Sequence, residues 1–274
     1  MRSPLLTVMF AAAALAGCSS DDPDVRPPPR TVAPSPTEGV DSAALGALLV
    51  EHWDVEAALD PLSATYLGDH RLDAQLPPVR RDDVLALRAR RRALLAQVAA
   101  LDPAGLTARD RLTHAILAER LSAAADRDVC DYERWAVSPR DSVLHQLDRI
   151  GDYHPLLAAD DAAGYLARIE AMPAALDALT GELTAGAAAG ETSGNHAVQG
   201  MISVIRGWAA RPPNEWPMVA AIRDGYLDAG ARDQLIGEVT AAIAGRLAPA
   251  YLRIAAALET TVLPAARAVE GLAG

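Results

Sequence analysis

From about Asp41 to Val269, apolar residues recur at the roughly 3.6-residue period of an α-helix, broken only by short stretches of Pro, Gly and Asp. No stretch alternates apolar and polar residues for longer than four positions, so there is no half-buried strand for a sheet to start from. Composition agrees. Hydrophobic residues make up 51 % of the chain but aromatics only 4 %, and the sole Phe, Phe10, lies in the N-terminal leader, so the core must be built from Ala and Leu. Both favour helices over strands. These features predict an all-α fold, an elongated helix array or a bundle, over residues 41–274.

The pattern predicts a first helix from Ser42 to Leu59 and a second from Asp82 to Leu101. The second carries the basic run Arg88–Arg92, expected on a solvated face because like charges are not buried unpaired. Thr107 and Asp110 have capping-box spacing at the start of another helix, although the acidic partner is more usually Glu. Ser138-Pro139-Arg140-Asp141 reads as a further start with proline at the first helical position, and Val143, Leu144, Leu147 and Ile150 would share one face. Later helices are expected over Ala162–Leu183, Asn195–Ala210, Met218–Asp228 and Arg232–Val269, with Gly186–Gly194 as a flexible loop. Pro249 and Pro264 are expected to kink or break the last helix.

The first 17 residues read as a secretory leader, with Arg2 before an apolar run from Leu5 to Ala16 that is too short to span a bilayer. Leu15-Ala16-Gly17-Cys18 is a lipobox, so Cys18 is the expected lipidation site and the chain's link to the membrane. The alternative is an ordinary leader with an incidental cysteine. Residues 18–40 hold six prolines and no apolar period, as expected of a tether that keeps the folded part off the membrane. Ser19, rather than Asp, follows the cysteine, which favours the periplasmic face of the outer membrane if the host is diderm.

Cys130 is the one other cysteine, expected to be a buried small residue or else a free thiol, and it has no partner for a disulfide if Cys18 carries lipid. The net charge of −11 argues against nucleic acid as a partner. All 25 basic residues are arginine, which excludes a P-loop, a Schiff-base lysine and a Ser-x-x-Lys acylation site.

Asp141, His145, Asp148 and Asp152 fall at i, i+4, i+7 and i+11, one stripe of a helix, and carboxylates with an imidazole are ligands for zinc or manganese. The competing reading is the wet face opposite Val143, Leu147 and Ile150, and a single helix rarely closes a coordination sphere. No histidine precedes a glutamate, so the His-Glu-x-x-His zinc helix is missing, and "GETSG" (Gly190–Gly194) fails the nucleophile-elbow spacing. Ser193 near His196 reads as a helix start rather than a nucleophile, and Trp208 with Trp216 as packing at a helix corner. Asp69, His70, Arg71 and Asp73 sit within five residues; they read as a polar turn in which Asp69 and Arg71 make local salt bridges and caps. No catalytic, metal or cofactor residue is assigned.

The stretch "LDPLSATYLGDHRLDAQLP" resembles the first signature of the bacterial exported proteins grouped as Domain of Unknown Function 885. The resemblance continues through Asp102, Leu106 and Asp110-Arg111, through "YLARIEAMPAAL" (Tyr165–Leu176) and to "LPAARAVEGL" (Leu263–Leu272). It implies the helical N-terminal half of a family similar to zinc metallopeptidases, whose His-Glu-containing motif lies in a further half that would begin about where this sequence ends. A membrane-anchored, non-catalytic interaction or substrate-binding module is therefore the expectation. The alternative is a truncated or split hydrolase completed by a catalytic partner chain.

Overall fold

The structure is a computed structural model describing residue 28 and residues 31–140 and 142–268. The leader, Cys18 and most of the proline-rich segment lie outside the described residues, as does Asp141. Nine helices occur among the described residues: α1 (Ala43–Leu59), α2 (Pro61–Tyr66), α3 (Arg81–Ala100), α4 (Ala108–Arg127), α5 (Val143–Asp148), α6 (Ala159–Ala188), α7 (Asn195–Ala209), α8 (Pro217–Arg223) and α9 (Ala229–Ala265). The fold is all-α, and the sole β-type pairing described is a bridge between Gly194 and Arg267.

Two apolar clusters hold the helices together. Leu45, Leu94, Val98, Leu117 and Leu121 form a small core between α1, α3 and α4. A larger core runs through α5 to α9 and takes in Leu62 of α2, with Tyr165, Met172, Trp216 and Tyr251 among its fully buried side chains. α9 is long and apolar enough to cross a membrane by length and composition, but 44 % of its most apolar window is buried against the rest of the fold, chiefly α6 and α7.

The helix ends show how local chemistry yields to tertiary contact. Ser42 caps α1 by accepting from the Leu45 amide at 3.3 Å. Thr107 caps α4 through the Asp110 amide at 3.2 Å, but the reciprocal half of the expected capping box does not form. The Asp110 carboxylate, one methylene shorter than Glu, instead accepts from the Ser42 amide at 2.9 Å and the Asp41 amide at 3.3 Å. A buried carboxylate thus ties the start of α4 to the start of α1.

Three expectations are corrected here. α5 begins at Val143, after Ser138 and Pro139, and spans six residues. Pro139 packs on α7, against Gly200. Gly186–Gly194 is not a loose loop: the Glu191 amide donates to Gly186 O, Thr192 Oγ1 to Ala265 O and Ser193 Oγ to Trp135 O. Glycine is needed at position 186, where a Cβ would come within 2.0 Å of Arg134 O. Of the kink or break expected at Pro249 and Pro264, the break does not occur, and α9 runs on through both. Each follows a five-residue π-helical segment, Ile243–Leu247 and Leu258–Val262. The amide just before each proline reaches back five residues, from Ala248 to Ile243 O and from Leu263 to Leu258 O. The widened turn makes room for a ring that would collide with the carbonyl four residues earlier.

Candidate functional site

The polar cluster Asp69–Asp73 lies between α2 and α3 and wraps the end of α2. Gly68, at φ +96°, turns the chain out of α2, and a Cβ there would lie 2.6 Å from Thr31 O. The chain segment before α1 therefore crosses directly over this turn. Asp69 caps the short 3₁₀ turn His70–Leu72. It also accepts from Arg71 Nε at 2.9 Å and Nη2 at 2.7 Å, and from Trp53 Nε1 of α1 at 2.7 Å. The Arg71 guanidinium, outweighing the burial that opposes it, holds the Asp69 carboxyl down at about 2. Arg71 reaches on to Asp54 at 2.9 Å. The expected local salt bridge and cap are present.

A second set of contacts goes beyond a local turn. His70 Nδ1 lies 2.9 Å from Asp73 Oδ2, and the Thr65 hydroxyl donates to Asp73 Oδ1 at 2.7 Å. Thr65 in turn accepts from Arg168 Nη2 at 2.7 Å. Arg168, on α6, is fully buried. It donates to Gln75 O at 2.8 Å, to Pro61 O and Leu72 O at 3.0 Å, and to His154 Nδ1 at 2.9 Å. Burial lowers the Arg168 guanidinium to about 10, with Asp73 and Asp60 opposing, so it stays charged at neutral pH. His154 must accept at Nδ1, so its proton sits on Nε2 and points at Asp161 O, 3.0 Å away. Burial, then the Arg168 charge, pushes this imidazole down to about 4 and keeps it neutral.

Sequence reasoning missed Arg168 and His154. A signal existed: Arg168 is three residues after Tyr165 and four before Met172, on the buried stripe of α6, where an arginine requires a compensating polar shell.

Beside the turn opens a groove of about 640 Å³, walled on one side by residues 32–36 and on the other by Val50, Trp53, His70 and Arg71. Its charged rim is occupied internally, with Asp54 and Asp69 both bound to Arg71. The arrangement is suited to holding a ligand against apolar surface, and the carboxylates and guanidinium are held to one another.

The other singled-out residues are dispersed. His145 lies edge-on to Trp208, with ring centroids 5.1 Å apart, and its Nδ1 is 3.3 Å from Ser142 Oγ. Asp148 is buried, its carboxyl raised by that burial against the pull of Arg211 at 3.4 Å. Asp152 sits beyond the end of α5 in a 3₁₀ turn, paired with Arg149. Among the described residues no three His, Cys, Asp or Glu side chains are grouped to hold a metal. Ser193 is buried and accepts from the Val137 amide at 3.0 Å, while His196 is exposed and α7 starts at Asn195. Trp208 and Trp216 both pack on Tyr251, at 5.7 and 5.6 Å between centroids. Cys130 is half-buried, with Trp135 Nε1 donating to its carbonyl.

The run Arg88–Arg92 is not simply solvated. Arg90 and Arg92 are about half exposed, but Arg88 is buried among Asp128, Asp131 and Glu133, and Arg91 pairs with Asp128 and Glu56. Asp131 adopts left-handed backbone, φ 42°, and also binds Arg81. The carboxylates that make this burial possible lie about 40 residues downstream, hence the sequence-based error.

A family model described as a bacterial protein of unknown function, DUF885, matches residues 61–273. The chain belongs to the DUF885 family. Both the Asp69–Asp73 turn and the Arg168 stretch of α6, joined through Thr65, fall inside the span matched by the DUF885 model. Among solved structures, this DUF885 chain is similar to a candidate lipoprotein from Colwellia psychrerythraea, with a TM-score of 0.66 at 19 % identity. The match takes in 82 % of this chain and 41 % of the other, so the chain spans well under half the length of that protein. No curated protein matches the chain.

Proposed function

We propose that this DUF885 chain is a lipid-anchored, helical module of the cell envelope that binds a partner or substrate and does no chemistry of its own. The observation that carries the reading is the groove of about 640 Å³ between residues 32–36 and α1, whose charged rim is internally paired. The lipobox ending at Cys18 supports the anchor, and the solved relative is itself described as a candidate lipoprotein. Mass spectrometry of the mature N-terminal peptide tests the anchor: a diacylglyceryl-modified Cys18 is expected, and Cys18→Ser should release the protein from membranes. The purified chain, assayed against mixed peptides with added zinc, should show no hydrolysis. One tightly held metal per chain, lost in His145→Ala, would overturn the non-catalytic reading.

A second reading is favoured by length alone, since the relative extends well beyond the matched 41 %. In it, the chain is the helical part of a zinc-metallopeptidase-like hydrolase whose catalytic half lies on another polypeptide. Hydrolysis that appears only on adding the product of the adjacent reading frame would select this reading.

A further inference from the structure

Trp53 also lines a second, smaller cavity of about 310 Å³ between α1, α2 and α4. We propose that it is a binding site for a small organic monocarboxylate with a flat or branched apolar body. The proposal goes beyond the module reading and does not depend on it.

The charges of the cavity are asymmetric in availability. Asp60 is engaged by the Ser63 amide at 3.0 Å and the Ser63 hydroxyl at 2.6 Å, and Glu56 lies 3.4 Å from Arg91. Arg120, on α4, lines the same cavity and has no carboxylate partner among the described residues. Arg120 offers the cavity an exposed guanidinium that no described carboxylate engages, and its planar fork matches a carboxylate. The two nearby acidic groups make a dianion such as phosphate a poorer match.

The remaining walls are apolar, from Trp53, Ala57, Ala64 and Leu67, with Leu67 46 % exposed. Trp53 is fixed in place because its indole N–H is held by Asp69 at 2.7 Å, so one wall is preorganised. His52 completes the lining. Its Nδ1 is buried without a hydrogen-bond partner, 4.0 Å from Glu56. Burial, joined by the charges of Arg120 and Arg91, lowers this imidazole against the pull of Glu56, so it brings no second positive charge at neutral pH. The volume is ample for a single-ring carboxylate.

The probe is benzoate, titrated into the full chain in detergent and followed by calorimetry and by the Trp53 indole N–H resonance. Saturable one-to-one binding is expected, at least about tenfold weaker for neutral benzyl alcohol and for Arg120→Gln, and not reproduced by inorganic phosphate. Arg120 is exposed, so the variant should keep the wild-type circular dichroism. The proposal is overturned if benzoate does not saturate, if Arg120→Gln binds it as well as wild type, or if phosphate competes with equal affinity.

Discussion

The Thr65 hydroxyl of α2 and the Arg168 guanidinium of α6 meet at 2.7 Å across 103 residues of chain. Thr65 passes the interaction on to Asp73, so a carboxylate near the surface balances a charge inside the core without touching it. The acidic turn and α6 are thereby one structural unit, and the first consequence concerns stability.

Arg168→Met would fill the space but leave Gln75 O without its donor, and would strip one donor each from Pro61 O and Leu72 O, which keep the Thr65 hydroxyl and the Gln75 amide. A loss of about 1–3 kcal/mol in urea unfolding is expected, the cost of leaving a buried acceptor unsatisfied. Thr65→Val, which removes only the relay, should cost about 1–2 kcal/mol. A loss below about 1 kcal/mol for Arg168→Met would mean that water reaches those carbonyls.

His154 makes folding sensitive to mild acid. Its folded value of about 4 lies below the ordinary 6.5, so the unfolded chain takes up a proton that the folded chain refuses. Stability should therefore fall as pH drops from 6.5 toward 4, by up to about 1.4 kcal/mol per pH unit. Imidazole nitrogen chemical shifts check the assignment directly: His154 should remain the Nε2-protonated neutral tautomer at pH 5.5. A titration near 6.5 would show that neither burial nor the Arg168 charge acts on this imidazole as the folded contacts require.

Asp148 has the opposite sign. Burial raises its carboxyl, so the folded state gains stability from this group as pH falls and carries a cost when it is ionised. Asp148→Asn should raise the urea midpoint at pH 7, by about 1 kcal/mol in stability, and lose that advantage as the wild-type carboxyl takes up its proton. Arg211→Ala should destabilise at pH 7 by about 2 kcal/mol, since it leaves a buried carboxylate without its cation.

Pro249 is exposed on α9, and the π-helical turn before it exists to admit its ring. Pro249→Ala restores a backbone donor and should stabilise the protein by about 1 kcal/mol, with slower amide exchange over residues 243–249. No change in exchange would indicate that the packing of the buried Ile243 and Leu247 holds the wide turn independently of the ring.

Much of this molecule is legible one turn at a time. The helical period, the Ser42 and Thr107 caps, and the Asp69–Arg71 pair depend on residues within four positions of each other, where backbone geometry alone sets which atoms can meet. The family resemblance was carried by the same short motifs. What the tertiary structure decided are the partners of groups whose local options fail. Asp110 is too short to complete its capping box and turns to α1, and Arg88 is buried because Asp131 and Glu133 arrive from beyond α4. Arg168 looks like a misplaced charge on an apolar stripe until the carbonyls of α2 and the following turn close around it. A buried charge needs several acceptors at once, and acceptors converging from separate segments have no fixed spacing along the chain.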